Sequence, residues 1–145
     1  RGPQVFSGYL GNPEANERAF HDDWFRTGDM AVMEADGWIR LVARIKEMII
    51  TGGFNVYSAE VEQALLAHPA VKDSAVIGLP DPKWGERVTA AVELRAGHDA
   101  DTEELIAFVK ERIGSVKAPK EVEIWTELPR SKVGKILKTD LRKLL

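Results

Sequence analysis

Four consecutive residues, Arg44-Ile45-Lys46-Glu47, interrupt the apolar patterning of this chain and separate two different kinds of sequence. Before them, residues 30–34 and 38–43 bracket Ala35-Asp36-Gly37. Asp-Gly between two apolar runs is a strong hairpin signal, because both positions tolerate positive φ. Further upstream, the Gly, Asn and Pro of residues 11–16 predict a loop, followed by a short helical stretch over residues 17–21. The break therefore predicts a boundary between a β-rich segment, residues 1–45, and a second domain, residues 46–145.

The second segment alternates strand and helix signals. Met48-Ile49-Ile50 reads as a short strand, and Thr51-Gly52-Gly53-Phe54-Asn55 as a tight glycine loop. Ser58 can cap a helix with Val61 and Leu65 on its apolar face, ending at His68-Pro69. Residues 71–79, 88–94 and 121–125 read as strands. Asp101 and Glu104 begin a second amphipathic helix carrying Leu105, Val109 and Ile113, and residues 139–145 form a terminal helical turn or two. The predicted fold is α+β: a three-stranded sheet flanked by helices, preceded by a β-hairpin tail. Trp38, Phe108 and Trp125 are assigned to the core.

Charge is unevenly spread. Residues 110–145 hold ten Lys/Arg against five Asp/Glu, while the whole chain carries −3. A basic tail on an acidic body argues against broad nucleic-acid binding and suits a local site for phosphates or carboxylates. Cysteine is absent and the three histidines lie far apart, which excludes disulfides and thiolate metal sites and gives no metal-ligand spacing. No run approaches a transmembrane length and no signal-peptide core is present, so the reading is a cytoplasmic protein without a structural metal. Arg1-Gly2-Pro3 lacks an initiator methionine and Gln4-Val5-Phe6 reads like mid-strand, as in a piece of a longer protein.

Two motifs carry chemistry. Trp24-Phe25-Arg26-Thr27-Gly28-Asp29 is an aromatic-led turn ending in a carboxylate, which can accept hydrogen bonds from sugar hydroxyls. Pro129-Arg130-Ser131-Lys132-Val133-Gly134-Lys135-Ile136-Leu137-Lys138 is a cationic loop whose lysine suits a transient anionic group. Taken alone, a Gly-Lys pair is more often a surface turn, and an Asp after Thr-Gly more often a turn cap. Together the motifs suggest a nucleotide at one end and an acidic reacting group at the other.

With Tyr9-Leu10, Pro13-Glu14-Ala15, residues 44–50 and residues 52–62 in the same order, the chain resembles the adenylate-forming superfamily over essentially its whole length. More narrowly it is similar to an acyl-CoA synthetase, a ligase of fatty or aryl acids. The resemblance implies that residues 1–45 end a large N-terminal domain and that residues 46–145 are a mobile C-terminal domain. It implies an acid activated by ATP with Mg²⁺ and then transferred to coenzyme A, with the phosphate loop and acid pocket supplied by the N-terminal domain. It assigns adenylation to Lys135, nucleotide contacts to Asp29 and Arg44, the hinge to Lys46, and coenzyme A contacts to Gly52, Gly53, Phe54, Trp84 and Lys120. The chain departs from the commoner pattern at Ala43, where many members have glycine, and at Ala118, where relatives often have a basic residue. Two other readings remain: an adenylation domain that loads a carrier protein, and a non-catalytic nucleotide-binding or interaction module. The second is disfavoured because a scaffold has no need of Asp29, Arg44 and Lys135 together.

Overall fold

The computed structural model describes residues Arg1–Leu145, which form two compact units, Arg1–Lys46 and Glu47–Leu145. No helix in either is long and apolar enough to cross a membrane.

The first unit contains helix α1 (Pro13–Ala19) and two hairpins, β1–β2 (Phe20–His21 and Trp24–Phe25) and β3–β4 (Asp29–Met33 and Ile39–Arg44). The helix starts earlier than residues 17–21 because Asn12 caps it, Oδ1 accepting the Ala15 N–H at 3.1 Å, and Pro13 occupies the first turn. Phe6, Tyr9, Phe20 and Phe25 pack mainly edge-on, with centroids 4.9–5.5 Å apart. At the β3–β4 turn Gly37 takes φ +90°, and Asp36 Oδ1 accepts the Trp38 N–H at 3.1 Å. Trp38 is 76% exposed, contrary to its assignment to the core. The hairpin pairs only with itself, and its Met33, Ile39 and Leu41 are exposed along with Trp38.

The second unit is built on five strands rather than three. Its sheet runs in the order β6 (Phe54–Tyr57), β5 (Met48–Thr51), β8 (Gly85–Leu94), β7 (Val71–Asp81), with β9 (Glu121–Trp125) parallel to β8. The unpredicted strand β6 arises because Gly52 and Gly53, at φ +56° and +83°, form a two-residue turn that returns the chain alongside β5. Paired positive φ values are what a tight hairpin turn needs, and glycine meets them without strain.

Helices α2 (Ser58–Leu66) and α3 (Thr102–Ile113) bury Val61, Leu65, Leu105 and Val109 against Val76, Val88, Ala90, Val92 and Val122. The opposite face holds Ala75, Ile77, Leu79 and Ala91 with Leu128 and Leu141, the latter on α4 (Lys138–Leu144); Trp125 packs against this cluster, half-buried. Successive residues of β7 and β8 therefore enter opposite cores, which explains their unbroken apolar runs. Asp101 caps α3, Oδ1 accepting the Glu104 N–H at 2.7 Å. Ser58 is instead the first helical residue of α2, and its hydroxyl meets Lys138 at 3.0 Å. Phe108 is half-buried, its ring edge-on to His68 and under Arg112.

Candidate functional site

In the first unit, Asp29 and Arg44 are register partners at the open end of the β3–β4 hairpin. Arg44 Nε lies 2.8 Å from Asp29 Oδ1, and Nη1 donates to the Thr27 carbonyl at 2.9 Å. Thr27 Oγ1 accepts the Asp29 N–H at 3.1 Å. The Thr-Gly-Asp turn is thus folded onto the arginine, and its carboxylate, which can accept several hydrogen bonds, keeps capacity for a further donor. Ala43 pairs with Met30 immediately before a register shift in the same ladder, where an alanine fits without strain. Lys46 is exposed, in the single 3₁₀ turn Ile45–Glu47.

In the second unit, the chain from Arg130 to Ile136 folds back as a miniature hairpin closed by a bridge between those two residues. Ser131 N–H donates to the Lys135 carbonyl at 2.8 Å, Ser131 Oγ accepts the Lys135 N–H at 3.2 Å, and Leu137 N–H reaches the Pro129 carbonyl at 2.8 Å. Gly134 turns the loop at φ +80°. The Lys135 side chain is left exposed at the tip of this tied loop.

Both ends of the loop are anchored by cations of the same motif, Arg130 and Lys138, to which the sequence alone assigns no role. Arg130 Nη2 lies 2.8 Å from Asp73 Oδ2 and 3.1 Å from Glu93 Oε2. Lys138 Nζ lies 2.8 Å from Glu47 and 2.7 Å from Glu62. Glu93 is only 4% exposed and also bonds Lys72 and the Leu128 N–H. Its bond to Lys72 above all, then those to Arg130 and Leu128, hold its carboxyl below the ordinary value against the opposing effect of burial. The available signal was an acidic residue, Glu93, closing the run Val88-Thr89-Ala90-Ala91-Val92 inside β8, since a buried carboxylate needs partners.

Gly52, Gly53, Phe54 and Trp84 are brought together at one end of the sheet, where the β5–β6 turn meets the β7–β8 turn. The Gly52 N–H donates to the Trp84 carbonyl at 2.8 Å. Asp81 Oδ1 accepts the backbone N–H groups of both Lys83 and Trp84 at 2.9 Å, which fixes the turn that carries the indole. A Cβ on Gly52 would stand 2.9 Å from the Trp84 ring, so this close approach requires glycine, whereas one on Gly53 would meet nothing. Phe54 and Trp84 are both exposed, with Lys83 Nζ 4.7 Å from the indole centroid. The patch offers an aromatic face, a nearby cation and open backbone at Gly53, a combination suited to an adenine and its pendant chain. Lys120 is separate, just before β9, with its N–H on the Val88 carbonyl at 2.9 Å and its ammonium on the Ser115 carbonyl. Desolvation first and the charge of Lys110 second push that ammonium below its ordinary value, although the residue as a whole is exposed. Ala118 is 2% exposed in the α2–α3 core, where a basic side chain would have no room.

The profile of the AMP-binding enzyme C-terminal domain matches residues 60–135. Feruloyl-CoA synthase of Amycolatopsis sp is 46% identical over 142 residues, covering 98% of this chain and 29% of that protein. The long-chain-fatty-acid–CoA ligase of Bacillus subtilis (strain 168) is 45% identical, covering 97% and 25% respectively. ATP-bound MatB from Rhodopseudomonas palustris superposes with a TM-score of 0.91 at 39% identity, over 99% of this chain and 29% of that one. The chain thus spans less than a third of the length of these relatives.

Proposed function

The chain belongs to the AMP-binding enzyme C-terminal domain family, and from that premise we propose that it is the C-terminal part of an AMP-forming carboxylic acid–CoA ligase. Such a protein joins ATP and an acid into an acyl-adenylate, releases pyrophosphate, and then transfers the acyl group to the thiol of coenzyme A. We assign residues 1–45 to the end of the N-terminal adenylation domain and residues 46–145 to a mobile C-terminal domain with Lys46 as its pivot. ATP and Mg²⁺ would be held mainly by parts of the protein outside residues 1–145, in a reaction we place in the cytoplasm.

The observation that carries the reading is the exposed Lys135 ammonium on a loop whose backbone is tied at both ends. An amine so presented can meet the acid's carboxylate and the α-phosphate as negative charge moves between them, with little reorganisation. Asp29 would accept the ribose hydroxyls, with Arg44 orienting its carboxylate. The Gly52-Gly53-Phe54 turn and Trp84 would receive coenzyme A, and Lys120 one of its phosphates. The chain by itself would neither form adenylate nor hold ATP tightly, because the ribose end and one lysine supply too few contacts to offset the ordering cost of binding.

The test is Lys135→Ala in the full-length protein. Pyrophosphate release should fall by roughly 10²–10³-fold, the cost of losing one charge-stabilising donor. Thioester formation from supplied acyl-adenylate should persist. Equal damage to both half-reactions would remove the division of labour on which this reading depends.

A further inference from the structure

The Gly134–Lys135 peptide is gripped on both sides. Its N–H donates to Ser131 Oγ at 3.2 Å, and its carbonyl accepts from Arg130 Nη1 at 3.2 Å. The other terminal nitrogen of the same guanidinium, Nη2, is held between Asp73 Oδ2 at 2.8 Å and Glu93 Oε2 at 3.1 Å. Asp73 lies on β7 and Glu93 beside it on β8, as register partners. One planar, permanently charged group therefore bolts the peptide next to Lys135 to two strands of the sheet. The grip is needed at this peptide, because Gly134 is the residue with the widest backbone freedom in the loop and sits at φ +80°.

The carboxylates are themselves fixed. Glu93 is buried and bonded to Lys72 and to the Leu128 N–H. Asp73 Oδ1 accepts the Ser74 N–H at 2.9 Å, which aims Oδ2 at the arginine. A lysine at position 130 could reach one carboxylate as a point charge, but it has no planar fork to span sheet and loop together.

We propose that Arg130 is a positioning residue for adenylation: anchored by Asp73 and Glu93, it sets the backbone that presents Lys135. The inference rests on the reading of Lys135 given above. Arg130 acts through the carbonyl before Lys135 and is not itself required to touch substrate. Its loss should lower the turnover of one half-reaction without weakening binding.

The experiment uses the full-length protein with Arg130→Gln, Lys135→Ala and the double variant, measuring pyrophosphate formation in single turnover. Arg130→Gln should lower kcat for adenylate formation about 10–100-fold, the scale of a 1 Å misplacement of a catalytic group. KM for ATP and acid should change less than about twofold, because the Lys135 amine acts on charge that develops in the adenylation transition state, and thioester formation from supplied acyl-adenylate, which does not use that amine, should hold. In the Lys135→Ala background the further loss should be under about twofold, since a positioning residue has nothing left to position. Arg130→Lys should restore only part of the rate. Additive losses in the double variant, or equal falls in both half-reactions, would overturn the proposal. If Lys135→Ala leaves adenylation intact, the reading of Lys135 fails and this inference with it; if only Arg130→Gln is silent, the inference alone fails. Should Arg130→Gln not fold, Asp73→Asn decides, because the asparagine oxygen can keep the bond to the Ser74 N–H while an NH2 replaces the charged acceptor that faces Arg130. A loss of about 3–10-fold confined to adenylation supports the proposal, and no loss or a loss in both steps refutes it.

Discussion

Lys138 Nζ stands 2.7 Å from Glu62 Oε1, and that same oxygen accepts the Val76 N–H at 2.8 Å. The pair ties the start of α4 to α2 and satisfies a backbone donor on β7, the last strand of the sheet on that side. An unpaired edge donor invites pairing with another chain, so the contact protects as well as stabilises.

Lys138→Met should therefore lower the unfolding free energy of the chain by about 1–2 kcal/mol, for its contacts with Glu62, Glu47 and Ser58 taken together and discounted for partial exposure. Urea titration would measure it. A double-mutant cycle with Glu62→Gln should return a coupling of about 1 kcal/mol; zero coupling would show that the two groups do not act as a pair.

Gly52→Ala and Gly53→Ala should separate close packing from backbone conformation. Both residues have positive φ, which costs an L-residue about 1 kcal/mol. Only at position 52 would a methyl group also meet the Trp84 ring, at 2.9 Å. The Gly52 variant should be the less stable and should shift the emission of Trp84, read by difference against Trp84→Phe, while the Gly53 variant leaves that emission unchanged. Equal spectra would contradict the close approach.

The depressed ionisation of Glu93 has a definite sign in stability against pH. A carboxyl lowered on folding contributes stability that is complete above its ordinary value of about 4.5 and drains as pH falls through the lower folded value. Wild-type stability should therefore decline on acidification in the window below about pH 4.5, with Glu93 adding to the slope. Glu93→Gln should be less stable at neutral pH, where Lys72 and Arg130 lose their shared partner, and should show a shallower slope in the acid window. An unchanged acid slope would mean that Glu93 is not lowered.

In the full-length protein, Lys46→Pro tests the proposed pivot. Proline locks φ near −65°, a value that a 3₁₀ turn accepts. Adenylation and thioester formation should then respond unequally, one retained and the other cut at least about tenfold, as for a motion needed by only one step. Wild-type rates in both half-reactions, with an unchanged melting temperature, would show that residue 46 does not gate the exchange.

Local chemistry was legible in the chain alone. Asp36-Gly37 makes a hairpin turn wherever it is flanked by apolar runs, and Asp101 caps α3 because its carboxylate is three residues from an unsatisfied N–H. Gly52-Gly53 carried the signal for a fifth strand as well, through the positive φ values that a two-residue turn demands, although residues 51–55 read only as a loop. The motifs Trp24–Asp29 and Pro129–Lys138 were visible as residue types in a short span, whereas Arg44 was singled out only through the resemblance to a family.

What only the tertiary structure decided are relationships set by register and layering. Trp38 reads as core and is exposed, because burial depends on whether a second layer covers a face, and a strand's own pattern does not contain its neighbour. Ser58 reads as a helix cap and becomes a partner of Lys138, which arrives from the far end of the chain. Arg130 meets Asp73 and Glu93 only because β7 and β8 pair in one register. A slip of one residue would send those carboxylates to opposite faces. Charged side chains far apart in sequence become partners through the strand pairing that carries them, and that pairing is a property of the whole sheet.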